Sequence, residues 1–124
     1  MIDTSTLATW LDQLGFVTEP HGDKTFRCTR ETAEGEVVVF VRLAKEWLIA
    51  SVVPFLATNG DNSFELARWL LRMNRDMQLR KFAYDEDGDV VLTVEVPTEA
   101  LDYSEAEEAL LGLVADAVKH RGTK

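Results

Sequence analysis

Cysteine and proline are scarce in this sequence of 124 residues, which contains one cysteine, Cys28, and three prolines. A single cysteine cannot form an intramolecular disulfide, so the fold cannot depend on disulfide bonds. Long apolar runs are also lacking, because the longest spans residues 37–41 and a transmembrane helix needs about 20 apolar residues. Residues 1–4 lack the basic start and apolar run of a signal peptide. We therefore expect a cytoplasmic protein with no membrane segment.

Motifs with known chemistry are absent as well. The sequence has no glycine-rich phosphate loop, no G-x-S-x-G nucleophile elbow and no carboxylate pair that spacing alone brings together. Neither His21 nor His120 has another metal ligand at a suitable spacing on the same element, so we expect both to be solvated surface residues. The sequence thus predicts no catalytic, cofactor-binding or metal-ligating residues.

Basic residues are outnumbered, with 13 Lys and Arg against 22 Asp and Glu and a net charge of −9. A field of this sign repels phosphate backbones, so we expect no direct binding to nucleic acid. Residues 62–82 are the exception, because they carry more basic than acidic side chains. The basic residues of this segment are Arg68, Arg72, Arg75, Arg80 and Lys81.

Length and composition predict one globular domain over residues 1–124, since 46% of the residues are hydrophobic and 28% are charged. Helical spacing of apolar residues predicts a first helix through Leu7, Trp10, Leu11 and Leu14, which ends near Gly15. A second helix is predicted from a capping box at Asn62 to about Met77, and a third over residues 104–119. The predicted strands are residues 16–19, 25–30, 37–43, 47–53, 82–84 and 90–96.

This element order predicts an α+β fold of the type α-β(3–4)-α-β-β-α, an antiparallel sheet packed with helices. The strand at residues 37–41 is apolar without alternation, which predicts a central strand covered on both faces. Cys28 alternates with Phe26, which predicts an inward-facing small apolar residue rather than a nucleophile.

The acidic run from Asp85 to Asp89 allows two interpretations. Its Asp spacing resembles a calcium loop, but Val90 and Val96 stand where such a loop needs Gly and Glu. The Asp87-Gly88 pair between two apolar runs is instead typical of a β-hairpin, and we favour a solvated turn.

The second helix has a wider apolar arc, about 200°, than packing on one sheet requires. We predict that its surplus part is exposed in a single chain and forms a dimer interface, made by Leu66, Trp69, Met73 and Met77. The alternative is that neighbouring helices wrap this helix. Asn74 lies inside the apolar arc and is expected to hydrogen-bond to backbone.

Arginines form a stripe along the same helix at Arg68, Arg72 and Arg75. These side chains are candidates for binding an acidic protein partner. The alternative is ordinary pairing on the helix surface, because Glu65 and Asp76 lie three and four residues away from Arg68 and Arg72.

The segment 70–74 (LLRMN), the segment 80–92 (RKFAYDEDGDVVL) and the following Glu95-Val96-Pro97 together resemble the YbjN family of bacterial proteins, labelled sensory transduction regulators. The resemblance is specific over residues 64–113, while residues 1–60 agree only in element order. The family resembles in fold the type III secretion chaperones, which are small acidic α+β homodimers that bind segments of protein clients. The resemblance implies no catalytic residues.

The favoured hypothesis is therefore a non-enzymatic protein-interaction module, a chaperone-like adaptor or regulator that dimerises and binds a protein client. Two alternatives stay open at this point. One is a small-ligand-sensing regulatory domain that uses space between sheet and helices, and the other is an enzyme whose site is assembled from residues distant in sequence.

Overall fold

The computed structural model describes residues 2–58 and 63–121, and within them three helices and six strands follow the predicted order. None of these helices is long and apolar enough to cross a membrane. The elements in chain order are α1 (Thr4–Gln13), β1 (Val17–Pro20), β2 (Thr25–Thr32), β3 (Gly35–Ala44), β4 (Trp47–Leu56), α2 (Phe64–Asp76), β5 (Lys81–Tyr84), β6 (Val90–Pro97) and α3 (Tyr103–His120).

The six strands form one antiparallel sheet with the order β1-β2-β3-β4-β6-β5. The first four strands form a meander. The chain then passes through α2 to the far edge and returns, so that β6 lies between β4 and β5. This arrangement confirms the predicted α+β class and makes β1 and β5 the edge strands.

The hydrophobic core lies on one face of this sheet. Val41 stands opposite Ala50, which stands opposite Val94, and all three are buried. The helices contribute Leu7 and Leu113 to the same core. The other strand residues buried on this face include Cys28, Val37, Val39, Leu48, Val52, Phe82 and Leu92.

The opposite face, here called the outer sheet face, has no fully buried strand residue in the described part of the chain. Its central positions Val38 and Phe40 on β3 are only half-buried. The prediction that residues 37–41 are covered on both faces was therefore wrong, although β3 is an interior strand. The physical reason is that helix residues from α1, α2 and α3 all join the core on the other face, which leaves the outer sheet face without a helix.

Two helix starts differ from the predicted ones because other polar residues supply the caps. Ser63 accepts a hydrogen bond from the Leu66 amide at 3.0 Å, so α2 begins at Phe64; the predicted cap Asn62 lies outside the described residues. In α3 the capping box joins Asp102 and Glu105, so this helix begins at Tyr103 rather than at the predicted residue 104. Both caps satisfy amides that a helix leaves free in its first turn.

The contact between α2 and β5 depends on Asn74. Its side-chain amide donates to the Phe82 carbonyl at 3.0 Å and accepts from the Phe82 amide at 2.7 Å, which confirms the predicted backbone contact. Lys81 donates to the carbonyls of Asn74 and Met77 near the end of α2. The outward-facing backbone of Phe82 on edge strand β5 is therefore already paired.

Arg80 connects the segment after α2 to α3. Its guanidinium donates to Asp116 at 2.8 Å and to Glu108 at 3.3 Å. Between these carboxylates lies Gly112, where an added methyl group would overlap the Arg80 guanidinium. The glycine thus provides the space in which Arg80 crosses α3.

The role of Gly112 can be measured with a double-mutant cycle. In an Arg80→Ala background, Gly112→Ala should raise the free energy of unfolding by up to about 1 kcal/mol, since alanine favours a helix interior. With Arg80 present, this gain should vanish or reverse, because the methyl group displaces the guanidinium from its carboxylates. Urea denaturation of the four proteins gives the comparison. An equal gain in both backgrounds would contradict the interpretation.

Candidate protein-binding surface on helix α2

Helix α2 places its charged and its buried residues on opposite sides. At about 100° per residue, the exposed positions share one continuous arc, and two large apolar side chains lie in it, Phe64 at 73% exposure and Leu71 at 69%. Arg68, Arg72 and Arg75 lie in the same arc and are exposed. We call this surface, made by Phe64, Arg68, Leu71, Arg72 and Arg75, the α2 outer face.

The four residues predicted for a dimer interface lie on the opposite side of α2. Leu66 is only 4% exposed, while Trp69, Met73 and Met77 are half-buried and pack against the core. The expectation that all four stand exposed in a single chain was therefore wrong. The alternative, a helix wrapped by its neighbours, describes these residues better. Pairing of Trp69, Met73 and Met77 across a twofold axis stays a prediction.

Aromatic packing explains how the wide apolar arc is used. The Trp69 ring lies 5.7 Å from the Phe82 ring and 6.4 Å from the His120 ring, measured between centroids. The sheet and the end of α3 therefore cover one side of α2 together, and more of its apolar arc is buried than packing on a sheet alone would require.

The arginines of the α2 outer face differ in their partners. Arg75 forms an ion pair with Asp76 at 3.1 Å, and this hydrogen bond and charge lower the pKa of Asp76. The Arg68 guanidinium lies 5.7 Å above the Phe64 ring. The predicted pairs of Arg68 with Glu65 and of Arg72 with Asp76 are not among the ion pairs of the described residues.

Histidine and cysteine take different positions in the fold. His120 is 8% exposed, with its ring edge-on to Phe82 at 5.7 Å, so the prediction of a solvated His120 was wrong because α2 and β5 cover the end of α3. His21 is exposed beside Phe40.

Cys28 is buried, as predicted, and burial raises the pKa of its thiol to about 12. The nucleophilic thiolate is therefore strongly disfavoured.

The acidic run forms the turn of the β5–β6 hairpin. The Asp85 carboxylate accepts from the amides of Asp87 and Asp89 at 2.9 and 3.0 Å, and Asp89 accepts from the Thr58 amide at 2.8 Å. These oxygens therefore serve the backbone of the turn. Over residues 2–58 and 63–121, no group of three or more His, Cys, Asp or Glu side chains is placed to hold a metal ion.

Comparison of the sequence with known families gives a match over residues 3–119 to YbjN, described as "Putative bacterial sensory transduction regulator". The chain belongs to the YbjN family. The match extends through α1 and the meander, beyond the residues 64–113 in which the motifs are specific. No curated protein matches the sequence significantly.

Solved structures share the fold of this YbjN-family chain. A chain from the crystal structure of the ExsC-ExsE complex matches with a TM-score of 0.66 and 20% identity, over 98% of this chain and 95% of that one. A chain from the Yersinia pestis type III secretion chaperone SycH in complex with a stable fragment of YscM2 matches with a TM-score of 0.60 and 19% identity, over 94% and 97%. The predicted likeness to secretion chaperones in fold is confirmed.

Sequence reasoning missed Phe64 and Leu71 as exposed residues of this YbjN-family chain. The signal was available in the spacing of positions 64, 68, 71 and 75, which share one helix face. Spacing alone does not say which face packs on the sheet, so this face was not recognised as the exposed one.

The burial of His120 predicts a pH dependence of stability. Burial lowers the pKa of His120 below its ordinary 6.5, while the charge of Asp116 opposes this shift and that of Lys119 adds to it. The unfolded chain therefore takes up a proton more readily than the folded one, so stability is present above about pH 6.5 and is lost as the pH falls below it.

Urea denaturation between pH 7.5 and 5.5 measures this effect. His120→Gln should flatten the decline in the free energy of unfolding, because glutamine does not titrate. His21→Gln is the matched control and should keep the wild-type slope, since His21 is exposed. A wild-type slope in His120→Gln would contradict the assignment.

Proposed function

We propose that this protein is a non-enzymatic, chaperone-like adaptor of the bacterial cytoplasm that binds a protein client through the α2 outer face. The observation that carries the proposal is the composition of this surface. Phe64 and Leu71 offer apolar contact area, and Arg68, Arg72 and Arg75 lie beside them on the same exposed arc as Glu65 and Asp76, in a molecule of net charge −9. A client segment with acidic and apolar side chains complements it.

The charge of the α2 outer face favours a client over a second copy of the chain at this surface. A twofold interface brings the same patch of both subunits together. Arg68 and Arg72, which form no ion pair within the described residues, would then face the same two residues of the second copy, and such like-charge contact opposes association. An acidic partner meets no such repulsion.

The fold supports the same proposal. The SycH match was solved in complex with a fragment of YscM2, so the domain type is compatible with holding a segment of another protein. The family description is that of a regulator, and neither name describes an enzyme. A chaperone-like adaptor that controls a client combines the two descriptions.

The first test concerns the arginines. Replacing Arg68, Arg72 and Arg75 by Gln should weaken client capture roughly tenfold at low salt, since three exposed charge contacts contribute about 0.5 kcal/mol each. The variant should also lose most of the salt dependence of capture. Tagged wild-type and variant proteins are compared by quantitative mass spectrometry of clients captured from native lysate at several salt concentrations.

The matched control replaces three exposed cations elsewhere, Lys24, Arg42 and Lys45, by Gln. It changes the net charge equally and should leave client capture unchanged. Equal loss of capture in both variants would mean that only net charge matters, and unchanged capture in the α2 variant would remove the proposed site.

Dimerisation is the second part of the proposal. Its support is that Trp69, Met73 and Met77 are only half-buried, which leaves apolar surface for a second copy to cover. Light scattering over a range of dilutions should give twice the 14.0 kDa chain mass. Because Trp69 also packs on Phe82 and His120, dilution is a cleaner test than Trp69→Glu, which would disturb the core. A constant monomer mass would contradict this part.

A further inference from the structure

A hollow of about 390 Å³ lies at the end of the sheet where the β3–β4 turn meets the segment after β6. Its lining residues are Glu46, Trp47, Pro97, Thr98 and Glu99. Trp47 stands opposite Pro97 in the register of β4 and β6, and the Thr98 amide donates to the Glu46 carbonyl at 2.8 Å. The backbone thus fixes the two sides of the hollow against each other.

Thr98 is unusual among the residues of this hollow. It is 1% exposed, and its hydroxyl oxygen has no hydrogen-bond partner within the described residues. Buried polar groups are nearly always hydrogen-bonded, because leaving one unpaired is costly. Because the described residues supply no partner for this hydroxyl, its partner has to come from outside the chain, as a water molecule or as a group of a ligand.

The charges of the hollow have one sign. Glu46 and Glu99 are exposed and form no ion pair with any part of the chain that the structure describes. The lining includes no cation. Trp47 is 46% exposed, and an indole ring is the best aromatic partner for a cation. Two carboxylates, an indole and an unpaired hydroxyl together are suited to a Lys or Arg side chain.

A second hollow, of about 370 Å³, has Pro97 and Glu99 in common with the first. Leu79, Val96 and Leu101 give it apolar walls. Of its other carboxylates, Glu105 is engaged in the capping box of α3, and Glu108 pairs with Arg80. The second hollow is thus suited to an apolar side chain rather than to another cation.

We infer that these two hollows form a binding site for a basic amphipathic segment of a partner protein. A Lys or Arg side chain lies on Trp47 between Glu46 and Glu99, and its entry opens the lining so that it donates a hydrogen bond to the Thr98 hydroxyl, which is closed to solvent in the free chain. A neighbouring apolar side chain of the segment fills the second hollow. The inference rests on the proposed function only in taking the partner to be a protein, because it concerns a site of opposite charge to the α2 outer face.

The test uses two defined probes, a 12-residue peptide of lysine and leucine on two helical faces and its glutamate-leucine counterpart. The lysine peptide should bind, with changes in tryptophan fluorescence and in the NMR signals of Trp47 and Thr98, and the glutamate peptide should not. The double variant Glu46→Gln, Glu99→Gln should weaken binding about tenfold. The matched control Glu31→Gln, Glu36→Gln, which removes two exposed carboxylates at another place, should bind as the wild type does.

Thr98→Val separates ligand recognition from folding. The valine removes an unpaired hydroxyl while keeping the shape of the side chain, so the melting temperature should stay the same or rise. Affinity for the lysine peptide should nevertheless fall severalfold. A lower melting temperature together with unchanged affinity would show that the hydroxyl serves the fold and would overturn its role in binding.

Three results would overturn the site itself. These are equal binding of both peptides, equal loss of binding in the two carboxylate double variants, and loss of lysine-peptide binding in the variant without Arg68, Arg72 and Arg75. That α2 variant should keep lysine-peptide binding even if it captures no client, which distinguishes failure of this inference from failure of the proposed function. Self-association that disappears in the Glu46, Glu99 variant would identify a second copy, rather than a client, as the occupant.

Discussion

Packing of all three helices on one face of the sheet is the constraint on which the remaining structure depends. The helices share a core with the inward residues of β3, β4 and β6. Helix α2 therefore packs over the short edge strand β5. Asn74 fixes its end to Phe82, and Arg80 fixes the next segment to α3. Held in this way, α2 turns its apolar arc to Phe82 and His120 and its arginines to solvent.

The surface that results has two regions of opposite charge. The α2 outer face is basic and carries two large apolar side chains, while the hollow beside Trp47 is acidic and contains an unpaired hydroxyl. Each region offers contact area and charge. A charged surface that meets a partner of opposite charge affects mainly how fast and how selectively the two associate.

Local signals in the sequence predicted the elements well, whereas exposure depended on contacts that no local signal encodes. The Asp87-Gly88 pair between two apolar runs was enough to predict the β5–β6 hairpin, and the helical spacing that begins at Leu7 was enough to predict α1. His120 and residues 37–41 were misjudged because their burial depends on elements distant in sequence. Leu66 was expected at an interface and Phe64 was overlooked because helical spacing defines an apolar arc but not which part of that arc packs on the sheet.

The hydrogen bonds between the Asn74 side chain and the Phe82 backbone also restrict how other strands could add to the sheet. An unpaired edge strand can recruit strands from other chains and seed aggregates, but on β5 a helix side chain already takes up the outward donor and acceptor of Phe82. The other edge, β1, has four residues and ends at Pro20, which has no amide to donate. Polymerisation through strand addition is therefore hindered at Phe82 on one edge and poorly supported at the other, which limits aggregation of a chain that exposes apolar side chains such as Phe64 and Leu71.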